Sequence, residues 1–146
     1  MRIVGGDLRG RKLHAPGGKD LRPTSDRARE SVFNILSHGE PTVDFEGVSV
    51  VDVFAGTGAL GLEALSRGAT HAAFIDNSAR SLKFVRENAA QLGVWKQSTL
   101  LKIDAKRLAP PPRAAKAPCA VAFLDAPYNQ ELTIPALQGL INKGWV

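Results

Sequence analysis

A single cysteine, Cys119, stands in a chain of 146 residues. One thiol can neither close an internal disulfide nor build a cysteine-based metal cluster, and it suits a reducing compartment. The three histidines, His14, His38 and His71, share no i, i+4 pairing and no motif, so no metal is expected. No apolar run approaches the ~18 residues that a membrane span needs. The start, Met1-Arg2-Ile3-Val4-Gly5-Gly6, is basic but lacks the apolar stretch of a secretory signal. Internal repeats and long low-complexity tracts are missing too. These absences lead to the expectation of a soluble, cytoplasmic protein with neither membrane nor metal partner. Composition agrees, with 44% hydrophobic and 23% charged residues. A chain of this length can bury roughly 68–70% of its unfolded surface, enough for a core without staples.

Charge is unevenly spread. Residues 1–38 carry eight Lys/Arg and four acids, whereas the other 108 residues carry eleven and ten. A basic N-terminal segment ahead of a nearly neutral body points to a polyanion-facing arm, although a solvated basic surface would look the same.

Along the chain, Ile3-Val4 and Arg11-Lys12-Leu13 suggest a short hairpin, followed by a Gly/Pro loop at Pro16-Gly17-Gly18. Thr24 or Ser25 reads as the cap of a helix whose Ala28, Val32, Ile35 and Leu36 form an apolar stripe, ended by Gly39 and Pro41. From residue 48 the rhythm is strand, helix, strand. Val48 to Phe54 is a β-branched run, Ala59 to Arg67 is helical with Gly68 at its end, and His71 to Asp76 is a second strand. A helix capped by Asn77 or Ser78 buries Leu82, Val85, Ala89 and Leu92. Thr99 to Asp104 and Cys119 to Leu124 are further strands, separated by a crossover with Pro110-Pro111-Pro112 that leaves room for one helical turn. A last helix spans about Glu131 to Asn142. Cys119 reads as core packing, Trp95 and Trp145 as covers for sheet edges, and Arg67 and Arg80 as ordinary helix-terminal charges.

Alternating βαβα with apolar strands means a parallel sheet with helices on both faces, which binds ligands beyond the carboxyl ends of its strands. Asp52, Asp76, Asp104 and Asp125 all fall at such ends. Between the first two lies Gly56-Thr57-Gly58-Ala59-Leu60-Gly61, a literal G-x-G-x-x-G, with Asp76 placed 20 residues after Gly56 to hold a ribose diol. A ligand-free turn or a NAD site would show the same glycines. Asp52 separates the cofactors: a carboxylate there disfavours a pyrophosphate but attracts an ammonium. A site lined by carboxylates suits S-adenosylmethionine, which carries a sulfonium and an ammonium and no phosphate.

The run Asp52-Val53-Phe54-Ala55-Gly56-Thr57-Gly58, with Asp125-Ala126-Pro127-Tyr128, resembles class I methyltransferases that modify exocyclic amines. Met1 to Gly6, Gly10-Arg11, Arg22-Pro23-Thr24-Ser25-Asp26-Arg27, Phe33-Asn34-Ile35-Leu36 and Phe54 to Gly68 look, in that order, like the bacterial RsmD family. That family methylates the N2 amine of a guanine in small-subunit ribosomal RNA. The resemblance implies an α/β, Rossmann-like class I methyltransferase fold, with residues 1–42 an RNA-facing hairpin and helix and residues 43–146 the cofactor domain. It implies that Asp52, Phe54, Gly56 and Gly58 hold the methionine end of S-adenosylmethionine, Asp76 the ribose and Asp104 the adenine. Asp125, Pro127 and Tyr128 would form the acceptor pocket, and Arg2, Arg9, Arg11, Arg22 and Arg27 would meet ribosomal RNA, free or in a small-subunit assembly intermediate.

Two departures bear on these expectations. Ala126 replaces the first proline of the family's Asp/Asn-Pro-Pro-Tyr/Phe pattern, which frees the backbone and implies impaired rather than absent chemistry. The family also runs on for about three more strands, so strand four is expected as an apolar edge that could self-associate. A different DNA or RNA amine as acceptor, or a catalytically silent RNA-binding remnant, are the alternative readings; an NAD oxidoreductase is disfavoured by Asp52.

Overall fold

The computed structural model describes residues 1–16, 25–127 and 131–146. Four strands, β1 (Ser49–Val53), β2 (His71–Asp76), β3 (Ser98–Lys102) and β4 (Val121–Leu124), form one parallel sheet in the order β3-β2-β1-β4. Helices α1 (Asp26–His38), α2 (Ala59–Ser66), α3 (Ala79–Gln91) and α4 (Thr133–Asn142) accompany it. Two short 3-10 turns, Ala105–Arg107 and Arg113–Ala115, flank the proline tract, one more than the sequence suggested.

Strand residues alternate between two cores because side chains on a strand point to opposite faces. Val50, Ala72, Phe74 and Phe123 pack with Phe33 of α1, Leu62 and Leu65 of α2, and Val85 and Ala89 of α3. Val51, Val53, Ala73 and Ile75 pack on the other side with Ala136 and Leu140 of α4 and with Trp145. Trp145 was expected to cover a sheet edge; instead it lies wholly inside this second core, its Nε1 donating to the Ala109 carbonyl at 2.9 Å. Trp95 is 42% exposed.

The N-terminal residues do form a hairpin-like turn, with Arg2 and Lys12 in an antiparallel bridge and Ile3 N–H donating to the Arg11 carbonyl at 2.9 Å. Ile3 and Leu13 enter the same core as the helices of the first face. Ser25 caps α1, accepting from Ala28 N–H at 3.1 Å.

The buried face of α1 differs from the expected one. Ile35 is 69% exposed and Val32 is 39% exposed, while Arg29 and Phe33 are buried. Phe33 docks between Phe45 and Phe123, with ring centroids at 5.1 and 5.6 Å. Arg29 follows it inward because it finds a charge partner there. Its guanidinium pairs with Glu63 of α2 at 3.2 Å and with Asp26 at 2.9 Å, and donates to the Arg2 carbonyl. Glu63, itself fully buried, also accepts from Val4 N–H, Gly5 N–H and Arg67 Nε at 3.0, 2.9 and 3.0 Å. Arg67 is thus no ordinary terminal charge; it also lies 4.7 Å over the Phe33 ring.

Candidate active site

Because all four strands are parallel, Asp52, Asp76, Asp104 and Asp125 gather at one edge of the sheet, Asp52 in the last turn of β1 pairing and the others at or just beyond their strand ends. The β1–α2 loop crosses this edge. Its backbone takes conformations that glycine tolerates: φ is +58° at Gly56 and +82° at Gly58. Phe54 adopts φ +60° without that freedom, a strained placement at the mouth of the loop.

The three glycines differ in what surrounds them. A Cβ on Gly56 would meet nothing within 4 Å, so the loop presents open backbone there. A Cβ on Gly58 would press on Val85 and Phe74 at 3.2–3.3 Å, and one on Gly61 would overlap the Phe74 ring. Gly56 therefore leaves room for a ligand, and Gly61 lets α2 settle onto β2.

Three of the four acids, Asp52, Asp76 and Asp104, accept from backbone amides. Asp52 Oδ2 accepts from Gly61 N–H at 2.9 Å. Asp76 accepts from Gly56 N–H at 3.0 Å and from Ser78 N–H at 2.9 Å, which ties the end of β2 to the glycine loop. Asp104 accepts from Lys106 N–H at 2.9 Å. Among the described residues no lysine or arginine pairs with Asp52, Asp76 or Asp104. Asp52 is 1% exposed, flanked in the sheet by Phe74 and Phe123. Burial pushes its carboxyl up to about 8; the Gly61 amide opposes the rise, and the nearby Asp125 and Asp76 add to it. Acid side chains over open loop backbone, with no lysine or arginine paired to Asp52, Asp76 or Asp104 among the described residues, suit a cationic ligand rather than a pyrophosphate, so the residues present fit S-adenosylmethionine.

Asp125 and Pro127 are exposed just past β4, with Ala126 half-buried between them. Since β4 pairs with β1, they stand beside the glycine loop. Tyr128 and Arg22 lie outside the described residues.

Of the other basic candidates, Arg2, Arg9, Arg11 and Arg27 are exposed. Arg2 donates to the Gly10 carbonyl at 3.0 Å and Arg11 to the Gln91 carbonyl at 2.7 Å, contacts that shape the hairpin and tie it to the end of α3. Sequence reasoning missed the anchors of this segment: Glu63, Arg29, Ser66 and Asn88. Ser66 Oγ accepts from Leu8 N–H and donates to the Gly5 carbonyl, at 2.9 and 2.6 Å. The i, i+4 spacing of Glu63 and Arg67 was the one local signal available. Among the described residues no His, Cys, Asp or Glu group is arranged to hold a metal ion, and no helix is long and apolar enough to cross a membrane.

A parallel sheet of this order, with a glycine loop after its central strand and acids along its carboxyl edge, defines the Rossmann-like fold of class I methyltransferases. The chain belongs to the family described as Conserved hypothetical protein 95, the RsmD family, whose model matches residues 1–146. It is 35% identical over 143 residues to YlbH of Bacillus subtilis, spanning 98% of this chain and 74% of that protein. It is 36% identical over 146 residues to the ribosomal RNA small subunit methyltransferase D of Escherichia coli K12, spanning 100% and 69%. Among solved structures, yhhF from Escherichia coli superposes with a TM-score of 0.78 at 32% identity, covering 100% of this chain and 74% of that one.

Proposed function

We propose that the protein transfers a methyl group from S-adenosylmethionine to the exocyclic N2 amine of a guanine in small-subunit ribosomal RNA, free or within an assembly intermediate. The observation that carries the cofactor reading is the open Gly56 backbone beside Asp52, Asp76 and Asp104, with which no lysine or arginine among the described residues pairs. Family membership and the Escherichia coli relative, a ribosomal RNA small subunit methyltransferase, support small-subunit ribosomal RNA as the substrate.

When bound, S-adenosylmethionine supplies an electrophilic methyl on a sulfonium. Asp52 and the Phe54–Gly58 turn would hold its methionine end, Asp76 its ribose and Asp104 its adenine. The acceptor is a poor nucleophile, because its lone pair is delocalised into the guanine ring. Asp125 would accept one amine hydrogen and the carbonyl of Ala126 or Pro127 the other, turning the lone pair out of the ring plane. Tyr128 would stack on the extruded base. Such positioning supplies up to roughly 7–11 kcal/mol in favourable cases. The proton leaves after methyl transfer, so no strong base is needed. Residues 1–42, through Arg2, Arg9, Arg11, Arg22 and Arg27, would meet the RNA backbone, while residues 43–146 hold the cofactor.

Calorimetric titration tests the first half: S-adenosylmethionine binds stoichiometrically and NAD does not. Asp125→Ala tests the second. It is expected to abolish methyl transfer to small-subunit RNA while sparing cofactor binding; retained turnover overturns the assignment.

A further inference from the structure

Asn88 has no part in the chemistry above, yet its side chain is fully buried and joins two functional segments. Its Oδ1 accepts from His14 N–H at 2.6 Å. Its Nδ2 donates to the His14 carbonyl and to the Thr57 carbonyl, each at 3.0 Å. His14 follows the N-terminal hairpin; Thr57 is the residue between Gly56 and Gly58 in the cofactor loop. Thr57 Oγ1 also lies 3.7 Å from Met1 Sδ, so the N-terminal segment reaches the same loop residue once directly and once through Asn88.

We propose that Asn88 is a positioning residue that couples the N-terminal segment to the glycine loop, so that filling the loop orders the segment. This rests on the cofactor reading given above. The physical basis is the planar amide. Both of its donors and one acceptor are committed, to two backbones at once. If the Thr57 carbonyl shifts, the amide either follows and carries His14 with it or leaves a buried polar group unsatisfied, which is unfavourable. Linkage makes the effect reciprocal: whatever holds the N-terminal segment also holds the loop. A buried asparagine serving stability alone would lower the melting temperature on substitution but would leave the N-terminal segment indifferent to the cofactor.

Hydrogen exchange with and without S-adenosylhomocysteine separates the two. In the unaltered protein the ligand is expected to slow exchange about tenfold both in the glycine loop, residues 54–61, and around His14, residues 11–14. Asn88→Asp keeps an acceptor for His14 N–H but offers at most one donor, the O–H of the protonated acid, to the two carbonyls. There the loop still gains protection, while the gain around His14 falls below about twofold. Asn88→Ser makes the same test by a second route should the aspartate variant not fold. Protection in the loop with none around His14 in the unaltered protein overturns the coupling and leaves the cofactor reading standing. An equal gain around His14 in a folded variant also overturns it. No protection in either segment overturns both.

Discussion

Asp52, on an inner strand, caps the helix that begins at Ala59: its Oδ2 accepts the N–H of Gly61, in the first turn of α2, at 2.9 Å. The helix needs this help. Its own N-cap residue is Gly58, which has no side chain to satisfy the orphan amides of the first turn. One carboxyl group therefore ties β1 to α2 at the carboxyl edge of the sheet.

The raised carboxyl of Asp52 gives stability a pH dependence with a defined sign. Between the ordinary value of 3.8 and about 8, the folded protein holds a proton that the unfolded chain has released. Stability attributable to this group therefore falls as pH rises through that window, by up to about 1.4 kcal/mol per pH unit. Asp52→Asn retains an acceptor for Gly61 and removes the titration. Urea unfolding across the window is expected to show a flatter pH profile in the variant; parallel profiles would contradict the assignment. A cation bound beside Asp52 favours its charged form, so S-adenosylmethionine binding is expected to release a proton and to tighten as pH approaches 8.

Glu63 anchors the N-terminal segment, and its loss takes from the buried Arg29 its one fully buried counter-charge, leaving the half-exposed Asp26. Glu63→Ala is expected to cost about 3–5 kcal/mol. Adding Arg29→Met should recover part of that loss, because the buried charge that Glu63 balanced goes with it. Urea melts of the two singles and the double form the cycle, and strict additivity would show that the pair does not interact.

Gly61→Ala drives a methyl into the Phe74 ring, since the helix cannot move away from the strand it covers. Overpacking of this kind costs about 1–3 kcal/mol. Phe74→Leu in the same chain makes room and should return some of the stability, whereas Phe74→Leu alone destabilises. Thermal melts of the three variants decide it.

Gly56→Ala behaves differently. The backbone there has φ +58°, so an alanine costs about 1–2 kcal/mol, but its methyl meets no protein atom. The variant is expected to fold and to bind S-adenosylmethionine at least about tenfold more weakly, because the methyl occupies space reserved for the ligand. Unchanged affinity by calorimetry would mean that the open backbone faces nothing.

The central β1–loop–α2 unit was legible because local rules agree in it: a β-branched run, glycines at the spacing of a ligand-binding turn, and an acid 20 residues after Gly56. The carboxyl-edge acids followed from the parallel order alone. The face of α1 was not legible. Its helical period favours Ala28, Val32 and Ile35, and burial of Arg29 makes sense only beside Glu63, 34 residues away. Asn88 escaped for the same reason. An asparagine on a helix says nothing until His14 and Thr57 arrive from elsewhere in the chain.

The long reach of these anchors sets an order of events during synthesis. Val4 and Gly5 find their acceptor 59 and 58 residues later, and His14 finds its partner 74 residues later. The first part of the chain to be made thus has no place to settle until α2 and then α3 exist. Its docking closes long loops and comes late, as contacts of high sequence separation do. The basic arm is consequently the natural reporter of completed folding: it takes its native form only after the glycine loop has been built.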